Sequence, residues 1–377
     1  MERTFDLAVV GAGIVGLAHA LAAARRGLRV VVLDREAEAI GASVRNFGFV
    51  TVTGQAAGET WRRALRSRDV WDEVAPKAGI PIDQRGLLLA ARRPEATAVL
   101  EAFRATAMGA DCTLLTPAEA AARMPALRAD RLEVALWSPH ERRVESRTAI
   151  PRLARWLEAA HGVALRRETH VFAAGDGRLE TTAGPFRAER IVVCPGDERL
   201  TLLHDRIAAL GIGRVRLHML KVMPADPIPA LPAAVMSDLS LARYLGYAAL
   251  PEADTLARRL AREEAAKLAH GVHLIAVQGA DGGLVVGDSH HHEAAPSPFA
   301  ADDVDRLILD ELDAVLDLGA HRVVERWQGT YAHLADRRCV VDAPDASTRL
   351  VVVTSGTGAS TPFAIGEEVV ADLFGRG

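Results

Sequence analysis

Residues 7–16 read Leu7-Ala8-Val9-Val10-Gly11-Ala12-Gly13-Ile14-Val15-Gly16, an uninterrupted apolar run that leads into the pattern GxGxxG. Because the run is apolar on both faces, it predicts a buried parallel strand. An Ala- and Leu-rich segment from Ile14 to Arg26, stopped by Gly27, predicts a helix. A second buried strand is predicted at Val30–Leu33, directly before Asp34. This order of strand, glycines, helix, strand and acid predicts a Rossmann-type nucleotide-binding unit.

Each part of this unit has a mechanical role in holding a dinucleotide. Gly11 permits the tight turn, Gly13 lets the backbone approach a pyrophosphate, and Gly16 lets the helix pack closely on the strand. The helix N-terminus offers free N–H groups and a partial positive charge to the phosphates. Asp34 follows at about 20 residues, the spacing at which a carboxylate holds ribose hydroxyls. The motif does not choose between NAD and FAD, and a tight turn without a ligand stays open as the alternative.

Composition excludes several classes of protein. The chain has 377 residues, of which 49% are hydrophobic and 25% are charged, as in an ordinary globular protein. A net charge of -4 gives no reason to expect nucleic acid or an anionic membrane as a partner. No apolar run approaches the ~20 residues of a membrane span, and the first strand begins too early for a secretory signal. Cys112, Cys194 and Cys339 show no disulfide or metal spacing. We therefore expect a cytoplasmic, reduced protein without a metal.

Two further stretches carry a family resemblance. Gly41–Phe49 reads GASVRNFGF, and Val351–Ser360 reads VVVTSGTGAS before a helical segment. With the first fingerprint, these stretches resemble the D-amino acid oxidase superfamily of flavoproteins, which includes glycine and sarcosine oxidases. The resemblance covers nearly the whole chain, with further anchors at Val192–Gly196 and Gly287–His290. The GASVRNFGF stretch is most similar to a bacterial branch associated with phosphonate breakdown.

The resemblance implies an α/β (α+β) protein with a Rossmann-type FAD-binding domain and an antiparallel-sheet substrate domain. We predict the FAD-binding domain at residues 1–85, 145–213 and 322–377, and the substrate domain at residues 86–144 and 214–321. The alternation of Arg214–Lys221 agrees with an antiparallel strand in the second domain.

By the same resemblance, FAD would be held by the glycine turn, the second strand end, the GASVRNFGF stretch, two middle segments and the late glycine-rich turn. The residues are Gly11, Gly13, Ile14, Val15, Gly16, Asp34, Arg35, Ser43, Arg45, Asn46, Phe47, Val171, Pro195, Gly196, Gly356, Thr357, Gly358, Ala359 and Ser360. A glycine-rich turn at a helix N-terminus suits the negative charge that a reduced flavin develops. Without the family, the late turn could also be a plain strand–turn–helix connection.

The chain departs from the family pattern at two positions. Sarcosine oxidases carry a cysteine for covalent flavin attachment where this chain has Gly329, and Cys339 falls later. We therefore expect non-covalent FAD. Amino-acid oxidases of the group place a carboxylate-binding arginine where this chain has Tyr331. Ordinary amino acids thus become less expected, and any anionic group of the substrate must be held elsewhere.

The resemblance implies oxidation of a small amine, and its branch points to 2-aminoethylphosphonate or an N-alkyl derivative. Hydride transfer to flavin N5 would give an imine that hydrolyses to an aldehyde and an amine, and O₂ or another acceptor would reoxidise the flavin. The substrate-site candidates are His290, Tyr244, Lys221, Arg243 and Tyr331. The alternatives are a solvated strand position for Lys221, a sheet edge for Arg243 and Tyr244, and an exposed loop or an adventitious metal patch for His290 with His291 and His292.

Two other functions stay open from the sequence. A FAD-dependent 2-hydroxy-acid dehydrogenase would need a base for the hydroxyl proton, and His290 or His218 could supply it. A non-catalytic flavin-binding subunit would carry a flavin that no substrate reduces.

Overall fold

The computed structural model describes residues 4–200 and 202–375, which form two sheets and the helices that cover them. The strands are β1 (Thr4–Val10), β2 (Val30–Leu33), β3 (Phe49–Val50), β4 (Gln84–Ala91), β5 (Thr113–Leu115), β6 (Val134–Arg143), β7 (Ala164–Arg166), β8 (Val171–Gly175), β9 (Arg178–Thr181), β10 (Phe186–Val193), β11 (Gly213–Pro224), β12 (Ala234–Ser237), β13 (Ile275–Gln278), β14 (Leu284–Gly287), β15 (His291–Glu293), β16 (His321–His333), β17 (Cys339–Asp342) and β18 (Thr348–Val353). The helices are α1 (Ile14–Ala24), α2 (Glu59–Lys77), α3 (Pro94–Arg104), α4 (Pro117–Arg123), α5 (Ser146–His161), α6 (His204–Ala209), α7 (Leu245–Ala248), α8 (Ala253–Glu263), α9 (Ala265–Ala269), α10 (Asp302–Val315) and α11 (Pro362–Phe374).

The first sheet is the predicted Rossmann half. Its strand order is β17-β18-β10-β1-β2-β7, and its central pairs are parallel. Leu7, Ala8 and Val9 of β1 are fully buried, which confirms the parallel strand expected from an uninterrupted apolar run. Helices α1 and α11 pack so closely that a Cβ on Gly366 would lie 2.8 Å from the Ala18 carbonyl oxygen.

The second sheet is largely antiparallel, as predicted for the substrate domain. Its order is β15-β11-β14-β13-β12-β4-β6-β3, while β16 pairs with the other edge of β11 and β5 pairs with β6. One pair, β4 with β12, is parallel. This pair joins the two separate excursions of the chain into a single sheet, so the two predicted pieces of the substrate domain share one hydrogen-bonded framework.

The predicted boundary at residue 322 differs from the observed pairing. Strand β16 pairs with β11 along its length, from Pro224 opposite His321 to Gly213 opposite His333. The chain therefore leaves the second sheet only after β16. The exposure of residues along this strand alternates, as is usual for a strand with one face open to solvent. Strand β3, also assigned to the first domain, pairs with β6 of the second sheet. Residues 1–3, 201 and 376–377 of the predicted FAD-binding domain lie outside the described residues.

Among residues 4–200 and 202–375, the helices are all too short or too polar to cross a bilayer.

Candidate active site

A single cleft is lined by residues of both sheets. Its volume is about 340 Å³, within the range of about 300–1,000 Å³ that is usual for small-molecule pockets. One end is formed by the glycine turn after β1, and the other by strands of the second sheet. Predicted cofactor residues that line it are Gly13, Ile14, Val15, Gly16, Ser43, Arg45, Asn46, Phe47, Gly196, Gly356, Thr357, Gly358 and Ala359.

Two positions at the turn after β1 and the start of α1 have room only for glycine, Gly11 and Gly16. Gly11 has φ +104°, and a Cβ there would lie 2.4 Å from the carbonyl oxygen of Cys194. A Cβ on Gly16 would lie 1.9 Å from the Gly11 carbonyl oxygen. Both clashes are with backbone, which cannot rotate away as a side chain can. The two glycines therefore set how closely β1, α1 and the segment after β10 approach one another.

The N-terminus of α1 offers free donors to the cleft. Gly13 is the N-cap residue and has no side chain to satisfy the first turn. The N–H of Ile14 donates to Ser43 Oγ over 3.0 Å. Within the described part of the chain, the N–H groups of Gly13, Val15 and Gly16 donate to no other protein group. This set of open N–H groups at a helix N-terminus fits a pyrophosphate.

Asp34 stands at the end of β2, beside the glycine turn. Its carboxylate accepts from the N–H of Ala12 over 2.6 Å and from the N–H of Glu36 over 2.9 Å. Its position fits the ribose end of a dinucleotide, and its contacts fix the turn itself. The neighbouring Arg35 forms ion pairs with Glu36 and Glu198.

Six predicted cofactor residues do not line the cleft itself: Gly11, Asp34, Arg35, Val171, Pro195 and Ser360. Val171 is buried in β8 and packs in the core of the first sheet. The Thr169 N–H donates to the Asp34 carbonyl oxygen over 2.8 Å, so the start of β8 lies near the end of β2. A role for these residues in nucleotide binding stays a prediction.

The late glycine-rich turn leads into α11, and hydrogen bonds to residues outside the turn hold it in place. Ser360 Oγ accepts from the Thr51 N–H over 2.9 Å, and Trp71 Nε1 donates to the Ala359 carbonyl oxygen over 3.1 Å. Across the described residues, the N–H groups of 356–359 donate to no protein acceptor. These open donors fit the ring of a flavin that becomes negatively charged on reduction.

Four of the five substrate-site candidates meet at the other end of the cleft: Arg243, Tyr244, His290 and Tyr331. Arg243 Nη2 lies 3.5 Å from the Tyr331 hydroxyl oxygen, and the rings of His290 and Tyr331 are 6.3 Å apart. A Cβ on Gly356 would lie 3.8 Å from the same hydroxyl, so Tyr331 connects this end to the late turn. Burial raises the pKa of Tyr331 to about 12, which keeps it a neutral phenol.

Lys221, the fifth candidate, lies outside this cleft. Its Nζ is 2.5 Å from Asp281 Oδ2 and 3.8 Å from Glu325 Oε1. The residue sits far along β11, near the turn between β13 and β14, where a Cβ on Gly283 would touch its Cε at 2.9 Å. Lys221 therefore lies apart from the other four candidates, because strand alternation gives the face of a residue but not its position along the strand.

Two residues that were not among the predicted candidates, His273 and Asp288, line the same end of the cleft as Arg243 and His290. We call this end the substrate end. Asp288 is buried, with Oδ1 3.1 Å from His273 Nε2 and Oδ2 3.6 Å from His290 Nε2. Burial holds the pKa of His273 below and that of His290 well below the ordinary value. Burial alone would raise the pKa of Asp288, but His290, His273 and Arg243 lower it overall. The GDSH anchor contained Asp288, whereas no motif marks His273.

His218 does not line the cleft. Its Nδ1 lies 3.2 Å from Asp305 Oδ1, and Arg216 Nη1 is 2.8 Å from its Nε2. Of the two histidines considered as a base for a hydroxyl proton, only His290 lines the cleft.

Three guanidinium groups of the cleft form no ion pair with any described carboxylate. They belong to Arg45, Arg243 and Arg338. Arg338 donates to the backbone carbonyl oxygens of Leu334 and Ala335, and Arg243 contacts Tyr331. An anionic ligand in this cleft could therefore bind guanidinium groups that form no ion pair with a described carboxylate.

Gly329 of β16 lines the cleft where covalent relatives have a cysteine. A Cβ there would lie 2.9 Å from the Arg45 carbonyl oxygen. Cys339 begins the edge strand β17 and is not part of the cleft lining. Non-covalent binding of the cofactor stays a prediction that these positions support.

Residues 6–373 match the family described as FAD dependent oxidoreductase, DAO. A glycine oxidase of Geobacillus kaustophilus is 29% identical over 251 residues, which is 63% of this chain and 66% of that protein, slightly under two thirds. The crystal structure of glycine oxidase from this species has a TM-score of 0.74 at 20% identity and covers 98% of this chain and 94% of its own.

Two other solved structures share the fold. L-proline dehydrogenase from P. horikoshii has a TM-score of 0.77 at 18% identity, covering 99% of this chain and 94% of its own. L-α-glycerophosphate oxidase from Mycoplasma pneumoniae, with FAD bound, has a TM-score of 0.74 at 16% identity, covering 98% and 95%.

Proposed function

Because the chain belongs to the DAO family of FAD-dependent oxidoreductases, we propose that it oxidises a small amine that carries an anionic group, namely 2-aminoethylphosphonate or an N-alkyl derivative. Bound FAD supplies the acceptor for the hydride that leaves the carbon beside nitrogen. The resulting imine hydrolyses in water to an aldehyde and a free amine. The glycine oxidase relative is named for an amino substrate, which favours an amine over an alcohol.

The observation that carries the proposal is the unpaired guanidinium of Arg243 at the substrate end. It lies beside Tyr331, which replaces the carboxylate-binding arginine of amino-acid oxidases. Guanidinium groups bind phosphonate-like oxygens through charge-assisted hydrogen bonds. The neutral phenol of Tyr331 adds a donor without adding charge. An anion held by Arg243 at this position would leave the amine end of a short substrate pointing along the cleft toward the late turn.

The other residues of this end exclude water from the reacting carbon. Tyr244 has a raised pKa because of burial, and its ring packs edge-on against His273 at 5.7 Å. Phe49 and Ile275 add apolar surface. A cleft end with few water molecules strengthens each electrostatic contact to the substrate.

The test is anaerobic bleaching of the flavin band near ~450 nm in the purified holoenzyme. Substrates to add separately are 2-aminoethylphosphonate, its N-methyl form, glycine, sarcosine and 2-hydroxyglutarate. We expect bleaching by an aminophosphonate and little or none by the hydroxy acid. Bleaching by 2-hydroxyglutarate alone would contradict amine oxidation, and bleaching equally fast by glycine would contradict a preference for the phosphonate over a carboxylate. Readmitted air with H₂O₂ detection then separates O₂ from another acceptor.

A further inference from the structure

Two neighbouring strands bring three ligand atoms together at the substrate end. His273 precedes β13, Asp288 and His290 follow β14, and the two strands pair with Ile275 opposite Gly287. The Asp288 N–H donates to the His273 carbonyl oxygen over 3.0 Å, which fixes the two segments side by side. The histidine Nε2 atoms and a carboxylate oxygen of Asp288 all lie within 4.8 Å of one another.

His290 has its proton on the nitrogen that faces away from this cluster, and the contacts of His273 accommodate the same tautomer. His290 Nδ1 lies 3.1 Å from the Gly271 carbonyl oxygen, which can only accept, so Nδ1 carries the hydrogen. His273 Nδ1 lies 3.1 Å from Ser240 Oγ, whose own hydrogen donates to the Leu274 carbonyl oxygen over 3.4 Å. The neutral ring of His290 therefore has its lone pair on Nε2, beside Asp288, and so does His273 when its Nδ1 donates to Ser240.

The carboxylate is not satisfied by either ring. Asp288 Oδ1 is buried and accepts no hydrogen bond from the described residues, although His273 Nε2 is only 3.1 Å away. The direction in which an N–H on His273 Nε2 would point must therefore deviate from the line to this oxygen. His290 Nε2, at 3.6 Å from Oδ2, is too far for a hydrogen bond. Asp288 Oδ1 is thus a buried carboxylate oxygen without a well-directed hydrogen bond, next to two imidazole nitrogens, and a bound cation would stabilise this arrangement.

We propose that His273 Nε2, Asp288 and His290 Nε2 bind a divalent first-row metal ion of the zinc class. Two histidines and a carboxylate are an established ligand set for such ions and leave further positions open. Metal–ligand bonds of about 2.0–2.2 Å require ligand atoms about 3.0–3.5 Å apart, and two of the separations here are 3.1 and 3.6 Å. Metal-binding histidines usually donate their second N–H to a fixed acceptor, as His290 does here.

A bound ion would change the charge of the substrate end. Asp288 and Arg243 alone carry opposite unit charges, and a divalent ion would add two positive charges beside Arg243. Its open positions would then bind an oxygen of an anionic substrate. This consequence rests on the proposed function, whereas metal binding does not.

The test is equilibrium dialysis of the FAD-loaded holoenzyme against Zn²⁺, with the zinc content measured by elemental analysis. We expect one equivalent per chain at micromolar Zn²⁺. The Asp288→Asn variant keeps the shape of the side chain and is expected to bind at least about 100-fold more weakly. His273→Gln is a second variant for the case in which Asp288→Asn does not fold, and FAD content with circular dichroism verifies folding in each.

Two control variants separate this site from other histidines. Asp305→Asn removes a buried carboxylate that also faces a histidine, His218, outside the cleft, and should leave zinc binding unchanged. His292→Gln tests the ring pair of His292 and His333, 4.4 Å apart, as an adventitious site. Absence of zinc binding in the wild-type protein, equal binding by Asp288→Asn, or loss only in His292→Gln would overturn the proposal. None of these results depends on which substrate, if any, bleaches the flavin.

Discussion

Replacing Gly16 with alanine is expected to abolish FAD binding and to lower the free energy of unfolding by about 1–3 kcal/mol. In an ordinary helix position, glycine to alanine would stabilise the fold by about 1 kcal/mol. Here the new Cβ would lie 1.9 Å from the Gly11 carbonyl oxygen and 3.0 Å from its carbonyl carbon. The overlap is with backbone, so α1 must move away from the turn, and its N–H groups must move with it. The absorbance ratio at 450 and 280 nm measures FAD content, and thermal unfolding of the apoprotein measures stability.

Gly41→Ala is the matched control. A Cβ on Gly41 would meet nothing within 4 Å, and this residue precedes the stretch that lines the cleft. We expect FAD content and unfolding temperature close to those of the wild-type protein. If Gly16→Ala retained stoichiometric FAD, the close approach of α1 to the glycine turn would not be what positions the cofactor.

Replacing Arg243 with glutamine is expected to raise the KM for 2-aminoethylphosphonate about 10- to 100-fold, since a hydrogen bond to a charged group contributes about 1.5–3 kcal/mol. The value of kcat should change less, because the arginine holds the anion and not the reacting carbon. The effect should be absent with propylamine, which has no anionic group. Steady-state kinetics of both enzymes with both amines therefore isolates the interaction between the guanidinium and the phosphonate.

Lys221→Gln serves as the control for loss of a positive charge. Lys221 pairs with Asp281 outside the cleft, so the KM for the phosphonate should stay within about twofold of the wild-type value, as for most exposed ion pairs. A large change in Lys221→Gln together with none in Arg243→Gln would mean that the anion is held elsewhere.

The cofactor half was predictable because its signals are contiguous. Strand, turn and helix from Leu7 to Gly16 follow one another in the chain, so steric and hydrogen-bonding demands act between near neighbours. The late turn before α11 is contiguous in the same way. Knowledge of the family added the order of the domains and the identity of the cofactor, which the glycine pattern alone left open between NAD and FAD.

The substrate half was predicted less well because its residues meet only through pairing across strands. The register of β13 with β14 brings His273 and Asp288 together. No sequence pattern near His273 predicts that register. The expectation of no metal relied on helical and cysteine spacings and stays a prediction, because such spacings do not test residues that meet across two strands. For Lys221 the sequence correctly predicted a strand, but it did not predict how far along the strand the residue lies from the cleft.

Strand β16 touches both halves of the cleft. Trp327 Nε1 donates to the Arg45 carbonyl oxygen over 3.2 Å, Gly329 lies against the same carbonyl, and Tyr331 reaches toward Gly356. The register with β11 holds these positions in place. A change of side chain at position 331 can therefore alter which substrate is accepted without moving the backbone that faces the cofactor. A one-residue insertion between 327 and 331 would reverse the faces of the strand and disturb both at once. Substrate preference in this scaffold is thus free to evolve by substitution at this strand and strongly constrained against changes in its length.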